Sequence, residues 1–181
     1  MIDTERLVLR PWREADRAAF AAMITDAEVG DWLGGARTPS QADEEFDRMR
    51  AFWVERGQGH LAVERRSDGL VVGRVTCRQQ PPEWEHPYAG VHEVGWMLAR
   101  PAWGAGYATE AAAAMLRWGF ETLQAPDIYA WTATRNLRSQ AVMRRIGMTR
   151  SPEHDFDHPA LAADHPLRWH VVYVARRPAG Q

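Results

Sequence analysis

The stretch richest in chemistry lies mid-chain. Glu93-Val94-Gly95-Trp96-Met97-Leu98 is followed by Trp103-Gly104-Ala105-Gly106-Tyr107-Ala108-Thr109-Glu110-Ala111. A β-rich run enters a turn of small residues, and the turn opens a helical pattern. A helix start presents unpaired N–H groups and the positive end of the helix dipole. Glycine lets an anion's oxygens come close to the backbone. The spacing therefore predicts a cradle for a pyrophosphate. It is not a P-loop, because the Gly-Lys-Ser/Thr ending is missing. It is not G-x-G-x-x-G either, since Thr109 stands where the third glycine belongs. Taken alone, such a turn is often only a tight turn, and a nucleotide or dinucleotide site stays open as a rival.

The elements that must position this turn can be read from the pattern. Leu7–Arg10 reads as a first strand ended by Pro11. Ala15, Ala18, Ala19, Ala22 and Met23 recur at helical spacing. Asp26 to Arg37 reads as a loop. Thr38-Pro39-Ser40-Gln41 opens a second helix with Phe46, Met49 and Trp53 on its buried face, and Gly57 and Gly59 end it. His60–Arg66 and Leu70–Arg78 form a hairpin through Ser67-Asp68-Gly69. Val91–Leu98 is a strand and Thr109–Leu123 a helix. Ile128–Thr132 is a strand, Asn136–Ile146 a helix closed by Gly147, and Met148–Ser151 and Leu167–Ala175 are the last strands. The prediction is one mixed α/β domain over residues 1–177 with a loose tail, 178–181.

Composition narrows the function. The 181 residues carry a net charge of −2, which argues against a general nucleic-acid or anionic-membrane binder. No apolar run approaches the roughly 18 residues of a membrane span, and the opening shows no apolar secretory core. The single cysteine, Cys77, excludes an internal disulfide and fits a reducing, cytoplasmic setting. It reads as a buried small hydrophobe. His154, His158 and His165 share a loop with Asp155, Asp157 and Asp164, but their spacing fits no standard zinc motif, so no metal is expected. With Asp26, Glu28 and Asp31, those acids are either ordinary surface charge or a lure for a cationic amine. Trp32 and Trp84 sit in irregular segments and are candidates for a substrate pocket. Trp12, Trp53, Trp118 and Trp131 read as packing residues.

Three segments carry a family resemblance. The strand Glu93–Leu98 with Trp103 to Ala111, the run Asn136-Leu137-Arg138-Ser139 with Gly147-Met148, and the opening Thr4-Glu5-Arg6-Leu7-Val8-Leu9-Arg10-Pro11 together resemble the GCN5-related N-acetyltransferase (GNAT) superfamily. The likeness is to the branch that holds the RimJ/RimL ribosomal-protein N-terminal acetyltransferases. It implies a mostly antiparallel, twisted sheet of about seven strands flanked by about four helices. It implies acetyl-CoA as cosubstrate and a primary amine as acceptor, on a small cationic molecule or at a protein N-terminus. Trp96, Met97 and Leu98 would pair with the pantetheine arm like an added strand. Amides from Trp103, Gly104, Ala105, Gly106, Tyr107, Ala108 and Thr109 would hold the pyrophosphate, and Asn136 and Ser139 would touch the far side of the arm. Trp103 stands where the family's loop has Gln or Arg, which shifts the load onto backbone amides.

Acetyl transfer needs a neutral amine, donors for the developing oxyanion and a proton for the thiolate. Glu93 is the candidate base through a water; its bland alternative is a strand carboxylate paired with an arginine. The tyrosine many relatives use as acid aligns with Met143 and is missing. Ser139 is the substitute candidate, as a proton donor or only as a cofactor hydrogen bond. The missing tyrosine also leaves a non-catalytic acyl-CoA sensor or partner-binding module of the same fold as the alternative function. Monomer and homodimer are both compatible with the sequence.

Overall fold

The computed structural model describes residues 1–83 and 85–177. The expectations for Trp84 and for the 178–181 tail lie outside these residues. The strands are β1 (Ile2–Asp3), β2 (Leu7–Arg10), β3 (Gly59–Arg65), β4 (Val71–Gln79), β5 (His92–Leu98), β6 (Asp127–Ala133), β7 (Thr149–Arg150), β8 (Phe156–Asp157) and β9 (Trp169–Arg176). The helices are α1 (Arg17–Ile24), α2 (Ala27–Gly30), α3 (Pro39–Arg56), α4 (Tyr107–Glu121) and α5 (Leu137–Arg145). The strands make one sheet of nine in the order β1-β2-β3-β4-β5-β6-β9-β7, with β8 also on β9. All pairings are antiparallel except β5 with β6.

That exception creates the site. β5 pairs with β4 along its whole length, from His92 opposite Gln79 to Leu98 opposite Gly73. It meets β6 only through His92–Ile128 and Glu93–Tyr129. Beyond Glu93 the two strands part, so the β6-side backbone edge of residues 94–98 has no strand partner. An unpaired strand edge offers N–H and C=O groups to an extended ligand.

The sheet's alternation sends side chains to two cores. On one face Leu7, Leu9, Leu61, Val75, Cys77 and Val94 pack against α4 through Ala111 and Met115. On the other, Trp12, Phe20, Phe46, Ala62 and Met97 pack with α1 and α3. Trp103 packs against both cores. Helix α3 begins as predicted: Thr38 accepts from Gln41 N–H, and Gln41 Oε1 accepts from Thr38 N–H at 2.9 Å. It ends at Gly57, whose φ is 63°.

The elements beyond those predicted are short. α2 is capped by Asp26, which accepts from Val29 N–H at 3.0 Å. β1 and β8 have two residues each. None is long enough to show a periodicity. The helix predicted from Ala15 opens as a 3₁₀ turn over Glu14–Asp16. No helix among the described residues is long and apolar enough to cross a membrane.

Candidate active site

The parting of β5 and β6 opens a cleft of ≈1510 Å³ between the sheet, α4 and α5. Its floor is residues 93–98. One end is the turn into α4, where Gly104 and Gly106 have φ of 79° and 83°. That left-handed backbone is cheap only for glycine, and it turns successive amides to one side. Among the described residues no amide from Gly104 to Thr109 donates to a protein acceptor; the first bond of the helix runs from Glu110 N–H to Gly106 O. These donors face the cleft at a helix N-terminus, the arrangement that binds phosphate.

The turn is braced from both sides. Trp103 Nε1 donates to Leu98 O at 2.9 Å, tying the turn to the end of β5. Arg6 donates to Ala105 O at 2.9 Å and pairs with Glu110 at 2.7 Å. Glu110 Oε1 also accepts from Thr4 Oγ1 at 2.6 Å and from Arg6 N–H at 2.7 Å. Arg138, on the first turn of α5, lies over the Trp103 ring at 5.0 Å. Arg6 and Arg138 both line the cleft. The substitution of Trp103 for a polar residue thus does not leave the turn without cations: one comes from the N-terminal segment and one from α5. Neither was legible as a site residue, although both lie in segments with family likeness.

The cleft gathers Trp96, Met97, Leu98, Trp103, Gly104, Gly106, Tyr107, Ala108, Thr109, Asn136, Ser139, Glu93 and Trp32. Ala105 is the exception. Its side chain is exposed and its carbonyl is engaged by Arg6. Asn136 caps α5, its Oδ1 accepting from Ser139 N–H at 3.1 Å. The Ser139 hydroxyl has no protein partner among the described residues. Met143 is buried in the core that α4 shares.

Glu93 lies where β5 and β6 part. Its Oε2 accepts a short hydrogen bond from Gln80 Nε2. Burial raises its carboxyl above the usual range, against the opposing pull of Arg78, Gln80 and Arg74. Among the described residues it forms no ion pair with an arginine, although Arg78 and Arg74 attract its charge. Cys77 is fully buried, and burial together with the Glu93 charge pushes its thiol up to about 12. It is inert packing, as its strand position suggested.

The structure narrows two of the sequence readings. The acids of residues 26–31 and 155–164 do not line the cleft. Asp155 is paired with Arg150, Asp157 with Arg168 and Glu28 with Arg100. Arginines pair with these three, which a count of acids in a loop cannot reveal; of the two readings the sequence left open, ordinary surface charge is the one that fits. Trp131, read as packing, does pack against the cluster of Tyr88, Phe156 and Val172, stacking on Tyr88 at 5.0 Å, and it also helps wall the cleft. Around it, His86, His158, His170 and Phe156 form a ring cluster, with His158 and His170 4.9 Å apart. No group of three or more His, Cys, Asp or Glu among the described residues is placed to hold a metal ion.

Sequence reasoning missed a polar row on the β4 face: Arg74, Thr76 and Arg78, beside His60 of β3 and Glu93 of β5, all lining the cleft. The signal was present. Arg74, Thr76 and Arg78 alternate with Val75 and Cys77, a polar side on a strand whose other side is core.

The sequence and the fold are both matched in known proteins. The acetyltransferase (GNAT) domain family matches residues 6–149. The chain belongs to the GNAT family of acetyltransferases. It is 30% identical over 155 residues to the uncharacterized N-acetyltransferase YnaD of Bacillus subtilis (strain 168), covering 82% of each chain. It is similar to the crystal structure of an acetyltransferase from Agrobacterium tumefaciens strain C58, with TM-score 0.75 and 30% identity over 97% of this chain and 94% of that one. The fold is also that of spermidine N-acetyltransferase from Vibrio cholerae in complex with CoA and spermine, with TM-score 0.74, 12% identity and 96% of each chain covered.

Proposed function

We propose that the protein transfers the acetyl group of acetyl-CoA to the primary amine of a small molecule or peptide. The observation that carries this is the adjacency, in one cleft, of an unpaired strand edge at residues 94–98, the unpartnered amides of residues 104–109, and Glu93. A solved relative of the same fold holds CoA, and family membership supports acyl transfer in general.

In this reading the strand edge pairs with the pantetheine amides. The turn and helix amides take the pyrophosphate, with Arg6 and Arg138 beside them. The thioester supplies an acyl carbon that a neutral amine can attack. A free N–H on the edge of residues 96–98 faces the oxyanion. Glu93 takes the amine's proton through a water; its raised carboxyl is nearer the operating pH, which improves a general base. The Ser139 hydroxyl is the candidate donor to the leaving thiolate.

Thermal unfolding with acetyl-CoA, CoA, NAD and ATP tests the donor. Ligand at 100 times its dissociation constant adds about 2.7 kcal/mol, or roughly 5–11 °C for a chain of this size. A shift with the CoA species alone is expected. A shift only with NAD or ATP would overturn the reading. Met143 in place of a tyrosine is what favours the second reading, a non-catalytic acyl-CoA-binding module. Ser139→Ala separates the two. Reduced turnover at unchanged acetyl-CoA affinity marks an acid, while absence of turnover with every amine in the wild type marks a binding module.

A further inference from the structure

The acceptor end of the cleft is not built for a simple polycation. On the sheet, His60 sits opposite Thr76 and Thr76 opposite Gly95, while Arg78 sits directly opposite Glu93. All five line the cleft. Thr76 is only 5% exposed, yet among the described residues its Oγ1 has no hydrogen-bond partner; nor have His60 Nδ1 and Arg78 Nε, both buried. A buried polar atom without a partner costs about 1–3 kcal/mol. Three of them meeting in one cleft are an invitation to a ligand.

The chemistry of the row tells which ligand. Arg78 Nε–H can only donate, and the Thr76 hydroxyl can donate as well. Arg74 is already committed to Glu45 at 2.5 Å, and Glu45 also meets Arg37 at 3.7 Å. Arg78 forms no ion pair among the described residues; its guanidinium lies over the Phe52 ring at 5.6 Å. The row thus presents an uncommitted cation and a hydroxyl, which suit an anionic oxygen. Directly across from Arg78 is Glu93, the group assigned to the amine. Facing residues of an antiparallel pair have Cβ atoms about 4.5–5.5 Å apart. A ligand that meets both side chains carries its anion and its amine close together.

We infer that the acceptor is a free amino acid or a similar small zwitterion, whose carboxylate is held by Arg78 and Thr76, with His60 adjoining, while its amine faces Glu93. This rests on the acetyl-transfer reading above and names the acceptor within it. A peptide N-terminus lacks the carboxylate, and a polyamine would place a second cation against Arg78.

The test compares each of a set of amino acids with the amine left by its decarboxylation, at saturating acetyl-CoA, with spermidine and a short peptide alongside. A site built around a polar group discriminates strongly against the analogue lacking it. The expected kcat/KM ratio favours the amino acid by at least tenfold. It collapses toward one in Arg78→Met and is partly restored in Arg78→Lys. Thr76→Val, which keeps shape and charge, lowers the ratio less. Stabilisation of each variant by acetyl-CoA shows that it has folded.

A wild type that prefers the decarboxylated amine, spermidine or the peptide overturns the inference. So does a ratio that Arg78→Met leaves unchanged. Calorimetric titration with the preferred amino acid reads the pocket without turnover. Binding that Arg78→Met abolishes, in a protein that does not consume acetyl-CoA, would retain the zwitterion site and sink the acetyl-transfer reading. Absence of both binding and turnover with every amino acid overturns the inference.

Discussion

Glu93 concentrates the conflict between stability and chemistry. Its carboxyl is raised, so the folded state holds the proton more tightly than the unfolded chain does. Folding is then penalised as pH rises through the raised value, and the penalty persists above it. Glu93→Gln removes a desolvated charge and leaves an amide facing Gln80. The unfolding midpoint should rise at pH 8, and the difference from wild type should shrink to nothing below pH ~4, where both side chains are neutral. Over the same comparison kcat/KM should fall about 10²–10⁴-fold, and the acid limb of its pH profile should disappear. An unchanged limb removes Glu93 as the base. Its place on a strand entering the Gly turn was legible in the sequence. Its partners were not: Arg78 faces it only because β4 and β5 pair in one register across an intervening loop.

At the scale of elements, the turn into α4 is held by groups remote in sequence. Arg6 reaches it from the N-terminal segment and Arg138 from α5. The Arg138 guanidinium is exposed and stacked on Trp103, so its own contribution to folding is small. Beside a pyrophosphate, a charge-assisted hydrogen bond contributes about 1.5–3 kcal/mol. Arg138→Ala should therefore raise the KM for acetyl-CoA about tenfold or more, with kcat and the unfolding midpoint of the free protein little changed. Steady-state kinetics with acetyl-CoA varied checks this, and an unaltered KM would assign Arg138 to the surface. The strands and helices around the turn were readable from periodicity and caps, as with Thr38, Gln41 and Gly57. Two-residue strands and the one-turn α2 were not, because their contacts come from distant chain.

At the scale of the whole molecule, and with Glu93 as the exception, the shifted histidines and Asp16 oppose low pH. Burial lowers His158 and His170 and takes His86 down to about 4. The unfolded chain takes up protons there that the folded chain refuses, so stability is lost as pH falls below 6.5 toward 4. Asp16 acts lower still. Burial pushes its carboxyl up, but the Arg10 guanidinium at 2.6 Å and the Arg13 amide outweigh that and leave it below the ordinary value. Its stabilisation is present above the unfolded value and is lost as pH drops through the folded one. The unfolding midpoint should decline from pH 6.5 downward, with a shallower slope between 6.5 and 4 in His86→Gln. A flat wild-type curve over that window would contradict the buried neutral histidines.

By itself the sequence determined what depends on near neighbours: the helix caps, the strand alternation, the glycine turn before α4 and hence the family. These are local because a cap or a turn is set by residues within a few positions of each other. Only the tertiary structure decided that Glu28, Asp155 and Asp157 are paired with arginines, that Arg6 and Arg138 flank the turn, that Trp131 also faces the cleft, and that Arg78 stands opposite Glu93 with no ion pair between them among the described residues. Each of those is a meeting of side chains far apart in the chain. Such meetings are fixed by sheet register and by where β5 and β6 part, and neither is written in any single segment.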